Sequence, residues 1–136
     1  MTIVVDASVA LAWCFEDEAD PRADAALARI ESEGAVAPGH WSLEVANALR
    51  TAERRGRMST ADTTRVRALL ADLPVELAPV DLSTALHGVL DVARAHDLSA
   101  YDAAYLDLAA VRGLQLATID DRLSRACATA GIGLVA

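Results

Sequence analysis

The chain has 136 residues, a length that suits one domain with one hydrophobic core. Hydrophobic residues make up 54% of it but aromatic residues only 4%, which favours closely packed helices over an all-β sandwich. The net charge of −8 argues against general binding to polyanions, because affinity for nucleic acids comes mainly from Lys and Arg.

Strand-like and helix-like segments alternate along the chain. Short β-branched or apolar runs predict strands, whereas longer amphipathic runs bounded by Ser, Asp, Gly or Pro predict helices. The predicted elements are strand 2–5, helix 7–15, helix 21–34, strand 35–37, helix 41–55, helix 59–72, strand 75–78, helix 81–96, helix 99–112, strand 116–119, helix 120–130 and strand 133–135.

This alternation predicts a single domain over residues 1–136 with a three-layer α/β/α fold. Its central sheet should be mainly parallel, because parallel strands need covering crossover helices. In such sheets ligands bind beyond the carboxyl ends of the strands, near the point where the strand order reverses. Asp6 and Asp120 follow two predicted strands, so we expect both at this edge.

Compartment is predicted from the cysteines and the N-terminal segment. Cys14 and Cys127 lie in apolar helical patterns without the spacing of a zinc or redox motif, so both should be reduced core residues. The N-terminus shows no basic leader, and the apolar stretch 3–15 is interrupted by Asp6 and too short to cross a bilayer. We expect a cytoplasmic protein with no membrane association.

Two helical acids lie among apolar residues. On helix 41–55, positions 41, 44, 45, 48 and 49 share a face on which only Glu44 is polar. On helix 99–112, Asp102 shares a face with Tyr105 and other apolar residues, whereas Asp107 should point to solvent. An inward carboxylate is costly unless it is paired or binds a cation, and neither helix has a basic residue placed to reach inward.

A cluster of Asp6, Glu44, Asp102 and Asp120 predicts a metal centre. Asp6 and Asp120 have the alternative role of capping the helices that follow them. If all four converge, their repulsion at ~4 Å amounts to about 4 kcal/mol per pair, which a divalent cation would relieve. Oxygen ligands suit Mg²⁺ or Mn²⁺, and such an ion activates water for phosphodiester hydrolysis.

Neighbouring polar residues have weaker signals. Ser8 and Thr118 are placed to hydrogen-bond a ligand carboxylate, with local backbone capping as the alternative. The three histidines, His40, His87 and His96, lack ligand spacing and are interpreted as surface or core residues.

Basic charge is concentrated in one region of the chain. There is no lysine, and six of the twelve arginines lie between Arg50 and Arg67. Such a run is either a solvated helical face with ion pairs or an edge that contacts RNA or a partner. The second interpretation assigns that contact to Arg50, Arg54, Arg55 and Arg57.

Four segments together resemble the PIN-domain family, in particular the VapC-type toxins of bacterial toxin–antitoxin pairs. They are Ile3-Val4-Val5-Asp6-Ala7-Ser8, Glu44-Val45-Ala46-Asn47-Ala48-Leu49, Tyr101-Asp102-Ala103-Ala104-Tyr105-Leu106 and Leu116-Ala117-Thr118-Ile119-Asp120. Each is weak alone, but their order and spacing across almost the whole chain are specific.

The resemblance implies an endoribonuclease toxin that depends on Mg²⁺ or Mn²⁺, held by Asp6, Glu44, Asp102 and Asp120. It also implies inhibition of translation and growth, a homodimer, an RNA substrate of the tRNA or rRNA class, and a small antitoxin that blocks the acidic pocket, often with an arginine. A net charge of −8 suits a basic inhibitor. Asp121 departs from the pattern by placing a second acid beside Asp120.

Other functions are disfavoured or remain as alternatives. A phospho-acceptor receiver domain needs a lysine, which the chain lacks, and a haloacid-dehalogenase-like phosphatase needs an acid where Ser8 stands. A housekeeping RNA-processing PIN nuclease and a non-catalytic PIN module that binds RNA or protein remain open. The latter predicts that Asp6→Asn leaves function intact.

Overall fold

The computed structural model describes all 136 residues. Its helices are α1 (Ala7–Cys14), α2 (Pro21–Glu33), α3 (Trp41–Arg54), α4 (Thr60–Ala71), α5 (Leu82–Thr84), α6 (Leu90–His96), α7 (Ala100–Arg112) and α8 (Asp121–Ala130). Its strands are β1 (Ile3–Val5), β2 (Ala35–Pro38), β3 (Val75–Ala78) and β4 (Leu116–Ala117). A 3-10 turn, Glu16–Glu18, follows α1, and a π-helical segment, Ala85–Val89, joins α5 to α6.

The four strands form one parallel sheet with the order β3-β2-β1-β4. Successive strands β1, β2 and β3 are added in one direction, and β4 then pairs with the other side of β1. The strand order therefore reverses between β1 and β4, which is where parallel α/β sheets bind ligands.

Helices cover both faces of the sheet. Side chains alternate between the faces of a strand, yet Ile3, Val4 and Val5 of β1 are all fully buried. Helix α7 packs against β1, β2 and β4, and α2 packs against β1 and β4. The predicted α/β architecture with a parallel central sheet is confirmed.

Local helix signals act as the sequence predicts. Asp20 caps α2 by accepting from the Arg22 amide at 2.8 Å, with Pro21 in the first turn. Ser59 and Asp62 form a reciprocal capping box at the start of α4. Gly113 ends α7 at a φ of 65°, a left-handed conformation that favours glycine.

Three predicted elements were wrong in detail. The strand predicted at 116–119 ends at Ala117, because Thr118 already turns its hydroxyl to the site at the sheet edge. The last strand, 133–135, is reduced to a single bridge between Leu116 and Leu134. The helix predicted at 81–96 is interrupted by the π-helical segment.

The π-helical segment lies close to Asp107 of α7. A Cβ built on Gly88 would approach Asp107 Oδ1 to 2.9 Å, so a larger residue there would displace that carboxylate. Asp107 is half-buried here and burial raises its pKa, which corrects the prediction that it points freely to solvent. No helix is both long and apolar enough to span a membrane.

Candidate active site

Asp6 follows β1 directly and is almost fully buried, with 4% of the residue exposed. Its Oδ1 accepts from Ser8 Oγ at 2.7 Å and from the Val9 amide at 3.1 Å, so Asp6 also caps α1. Its Oδ2 accepts from the Thr118 hydroxyl beside it. Asp6 therefore caps α1 from a position at the sheet edge, and the capping role is compatible with the predicted site role.

Burial dominates the electrostatics of Asp6. It raises the pKa of this carboxyl from 3.8 to about 6, against the lowering effect of hydrogen bonds from Thr118, Ser8 and Val9. The negative charge of Asp120 raises the pKa further. No Arg side chain forms an ion pair with Asp6, so its charge lacks a cation in the protein.

Asp120 lies at the adjoining edge, beyond β4. Its Oδ1 accepts from the Leu123 amide at 2.8 Å and caps α8, whereas its Oδ2 has no hydrogen-bond donor. Thr118 links the two acids, because its hydroxyl donates to Asp6 and accepts from the Asp120 amide at 3.0 Å. Ser8 reinforces this link by accepting from the Ile119 amide at 3.1 Å.

Glu44 lies in the first turn of α3, where two aromatic side chains hold it. Tyr105 of α7 donates to Glu44 Oε1 at 2.6 Å, and His40 Nε2 lies 3.0 Å from the same oxygen. Burial opposes the charge of Glu44, but the hydrogen bonds from His40 and Tyr105 outweigh it and lower the pKa. Glu44 Oε2 has no hydrogen-bond partner.

The sequence interpretation missed His40. Its Nε2 also lies 3.1 Å from the Tyr101 carbonyl, and since both neighbours only accept, this nitrogen carries the proton. The imidazole packs edge-on against Tyr101 and Tyr105, with ring centroids 5.7 and 5.2 Å away. The statement that no basic residue reaches inward was therefore wrong, and the four-residue spacing to Glu44 was the available signal.

Asp102 lies in the first turn of α7, half-buried, and its carboxylate accepts no hydrogen bond. Burial raises its pKa, and the charges of Asp120 and Glu44 raise it further. Arg122 and His40 act in the opposite direction. The side chain is thus close enough to two other acids to be repelled by both.

The four acids suit an oxygen-preferring cation in kind, although they do not enclose one as they stand. No three His, Cys, Asp or Glu side chains lie close enough together to hold a metal ion. Free carboxylate oxygens on Glu44, Asp102 and Asp120 nevertheless suit Mg²⁺, which takes a few carboxylates and retains several waters.

The other predicted residues lie apart from this cluster or have partners. Arg57 binds Asp17 at 2.7 Å and Glu18 at 3.3 Å and covers the Phe15 ring at 4.0 Å. Arg50 pairs with Glu53 at 3.5 Å. Ion pairing thus accounts for two of the four arginines, whereas Arg54 and Arg55 are exposed and have no acidic partner. Asp121 is exposed in the first turn of α8.

The bond from Tyr105 to Glu44 yields a test of the site. Tyr105→Phe should lower divalent-metal affinity and RNA cleavage by ~10–100-fold, because the groups that orient metal ligands have effects of that size. Stability should change by only about 1 kcal/mol, since half-buried Glu44 retains His40 and reaches water. Metal affinity can be measured by calorimetry.

Tyr101→Phe is the matched control, because Tyr101 is 65% exposed on the same helix and its hydroxyl has no partner. Equal losses in both variants would contradict an orienting role for Tyr105.

A parallel sheet with acids at the edge where its strand order reverses is the arrangement to compare with known protein families. The family model for the PIN domain matches residues 3–128. The chain is 36% identical to Ribonuclease VapC3 of two Mycobacterium tuberculosis strains, CDC 1551 / Oshkosh and ATCC 25618 / H37Rv. Each match spans 124 residues, which is 91% of this chain and 86% of the relative.

Two solved structures share the fold. PAE2754 from Pyrobaculum aerophilum matches with a TM-score of 0.69 and 28% identity over 93% of this chain and 86% of its own. Mycobacterium tuberculosis VapC20, a Sarcin-Ricin loop cleaving toxin, matches with a TM-score of 0.62 and 19% identity over 92% and 95%. The chain belongs to the PIN-domain family and, within it, to the VapC-type ribonucleases, as the sequence motifs predicted.

Proposed function

We propose that this chain is the endoribonuclease toxin of a toxin–antitoxin pair and that residues 1–136 act as one nuclease domain. Ribonucleases of this family generally depend on a divalent metal. Here Asp6, Glu44, Asp102 and Asp120 hold Mg²⁺, with Mn²⁺ as a substitute. When bound, the ion supplies Lewis-acid stabilisation of the reacting phosphodiester and activates water.

The observation that carries this proposal is the mutual repulsion of acids that have no arginine partner. Burial and the charges of Asp120 and Glu44 raise the pKa of Asp102, and burial with the charge of Asp120 raises that of Asp6. Structural carboxylates normally have a basic partner or project into water. Asp6 and Asp102 both feel the charge of Asp120 and neither is paired with a base, which suits a site that is completed by a cation.

Each residue has a separate task in the proposed reaction. Asp6 is fixed by Ser8, Val9 and Thr118, so it gives the site a rigid anchor at the end of β1. Asp120 is held by α8 and keeps one oxygen free. Glu44, oriented by Tyr105 and His40, and Asp102 approach from two helices that flank the sheet edge.

The proposal extends to partners. A VapC-type toxin implies an antitoxin and an RNA substrate, and the acidic cluster with a net charge of −8 suits a basic inhibitory segment. The proposal includes a homodimer, in which exposed apolar side chains such as Leu43, Leu82 and Val111, exposed by 73%, 73% and 76%, would be available for burial. We further propose that the protein acts in the cytoplasm, on RNA of the tRNA or rRNA class.

Sequencing of RNA ends after induced expression tests the activity and finds the substrate. Wild type should produce a new, discrete RNA end and arrest growth, and Asp6→Asn should produce neither while still binding the antitoxin. Identical RNA ends from both proteins would contradict the nuclease proposal and favour a non-catalytic module. Growth arrest by both without new ends would lead to the same conclusion.

A further inference from the structure

Three arginines without acidic partners line one open cavity beside the acids. The cavity has a volume of about 510 Å³ and lies between the end of α6 and the outer side of α8. Its lining residues are Arg94, Ala95, His96, Asp97, Arg122, Arg125, Ala126 and Thr129.

The charge of these arginines is uncompensated, unlike that of half of the twelve arginines in the protein. Six arginines, Arg22, Arg29, Arg50, Arg57, Arg65 and Arg112, lie within ion-pair distance of a carboxylate. Arg94, Arg122 and Arg125 do not, although Asp97 lies in the same lining. Guanidinium groups remain charged at any ordinary pH, so three in one cavity repel unless an anion lies between them.

This basic cavity adjoins the acidic cluster. Arg122 lies on the first turn of α8, two positions beyond Asp120, and its charge is felt at the Asp102 carboxyl. A nucleic acid whose scissile phosphate lies at the acids would therefore pass over or beside the arginines. In a chain with a net charge of −8, a local basic patch beside the acids gives a polyanion a place to bind next to the cluster.

We propose that Arg94, Arg122 and Arg125 form the site that binds phosphates of the RNA next to the scissile bond. The planar fork of a guanidinium binds phosphate oxygens in pairs, which fixes the strand as well as attracting it. This site rests on the proposed ribonuclease function and deepens it. It differs from the arginine-rich region 50–57 that the sequence suggested, where Arg50 and Arg57 already bind acids.

Direct RNA binding tests the site separately from cleavage. The probe is a short fluorescein-labelled single-stranded RNA, titrated with protein in EDTA at several salt concentrations and followed by fluorescence anisotropy. The R94A/R122A/R125A triple variant should raise Kd at least ~10-fold at low salt. It should also make the slope of log Kd against log salt shallower by ~2, since each lost phosphate contact on a single strand contributes about 0.7.

The matched control is R54A/R55A/R67A. These three arginines are also exposed and without acidic partners, so the change in net charge is the same. The control should retain wild-type Kd and salt slope within a factor of about two. Melting temperatures of both variants, measured in the same buffer, establish that each is folded.

Three outcomes would overturn the proposal. Equal weakening by both triple variants would show that RNA binding depends only on net charge. Weakening by R54A/R55A/R67A alone would place the RNA at that other region. Unchanged RNA binding by R94A/R122A/R125A would indicate that the cavity binds an acidic protein instead of RNA. A wild-type protein that binds RNA but never cleaves it with Mg²⁺ would instead refute the proposed nuclease function. The two failures are therefore distinguishable.

Discussion

Asp102→Asn should lower the rate of RNA cleavage by at least ~100-fold, because removing a metal ligand should cost more than the 10–100-fold effect of removing an outer partner. Asp102 is half-buried, has no hydrogen-bond donor and is repelled by Asp120 and Glu44. The neutral amide retains its shape but supplies no negative charge to a cation. Cleavage is measured in single turnover with saturating Mg²⁺.

Asp107→Asn is the control, since Asp107 lies on the same helix and is also half-buried but packs against Gly88. Burial raises its pKa with no other acid contributing, so an amide there should leave cleavage within about twofold of wild type. The metal-free Asp102→Asn variant should also be no less stable than wild type, because a repulsive charge is removed. A loss of cleavage accompanied by a marked loss of stability would contradict the metal-ligand role and indicate a structural one.

The strand-end acids could be located from sequence because the signals that position them are local. Asp6 and Asp120 each follow a buried apolar run and precede a helix, and the parallel topology brings those strand ends together. The same local geometry made them helix caps. Capping and a site role were alternatives in the sequence, and the structure shows that both acids cap the helices that follow them and are linked through Thr118 at one sheet edge.

The support of Glu44 could be predicted only in part. Its apolar helical face indicated an inward direction, but the donor is Tyr105, 61 residues away, and no pattern within one helix encodes that pairing. His40 was within reach of sequence reasoning, because it lies four positions before Glu44 at the start of α3. Metal-ligand spacing does not reveal such a contact, whereas a four-residue spacing along one helix face does.

The arginines show a similar limit. Arg57 looked like part of a basic edge, whereas its partners Asp17 and Glu18 come from a turn 40 and 39 positions earlier. Conversely, Arg94 and Arg125 are dispersed in sequence and share a cavity only because the fold brings the end of α6 and one side of α8 to its lining. Whether a surface arginine is neutralised depends on tertiary contacts, so linear charge density is a weak predictor of where RNA binds.

Metal-free wild type should lose stability as the pH rises from about 4 to about 6, and Asp6→Asn should not show this loss. Folding raises the pKa of Asp6 from 3.8 to about 6, chiefly through burial. Between these values the folded state binds more protons than the unfolded state, so the free energy of unfolding falls as pH rises. Above about pH 6 the carboxylate is ionised in both states and the loss is complete.

The expected loss in the free energy of unfolding follows from the pKa shift of Asp6. A change of about two pKa units at about 1.4 kcal/mol per unit corresponds to ~3 kcal/mol. Asn can still accept from Ser8 and Val9, and its amide can donate to the Thr118 hydroxyl, so the variant keeps the local hydrogen bonds. Urea unfolding of both proteins in EDTA across this pH range gives the difference, in which the contributions of other groups largely cancel.

Adding Mg²⁺ at neutral pH should return stability to wild type but not to Asp6→Asn, because a ligand that binds only the folded state stabilises it in proportion to its occupancy. Near pH 4 the same Mg²⁺ should have less effect on wild type, since a proton then occupies the Asp6 carboxyl, whose pKa is about 6 in the folded state. Asp97→Asn, at an exposed acid outside the cluster, should respond to pH and Mg²⁺ as wild type does. Parallel pH profiles of stability for wild type and Asp6→Asn would show that Asp6 does not carry the buried charge. Equal stabilisation of both proteins by Mg²⁺ would show that Asp6 does not contribute to the cation site.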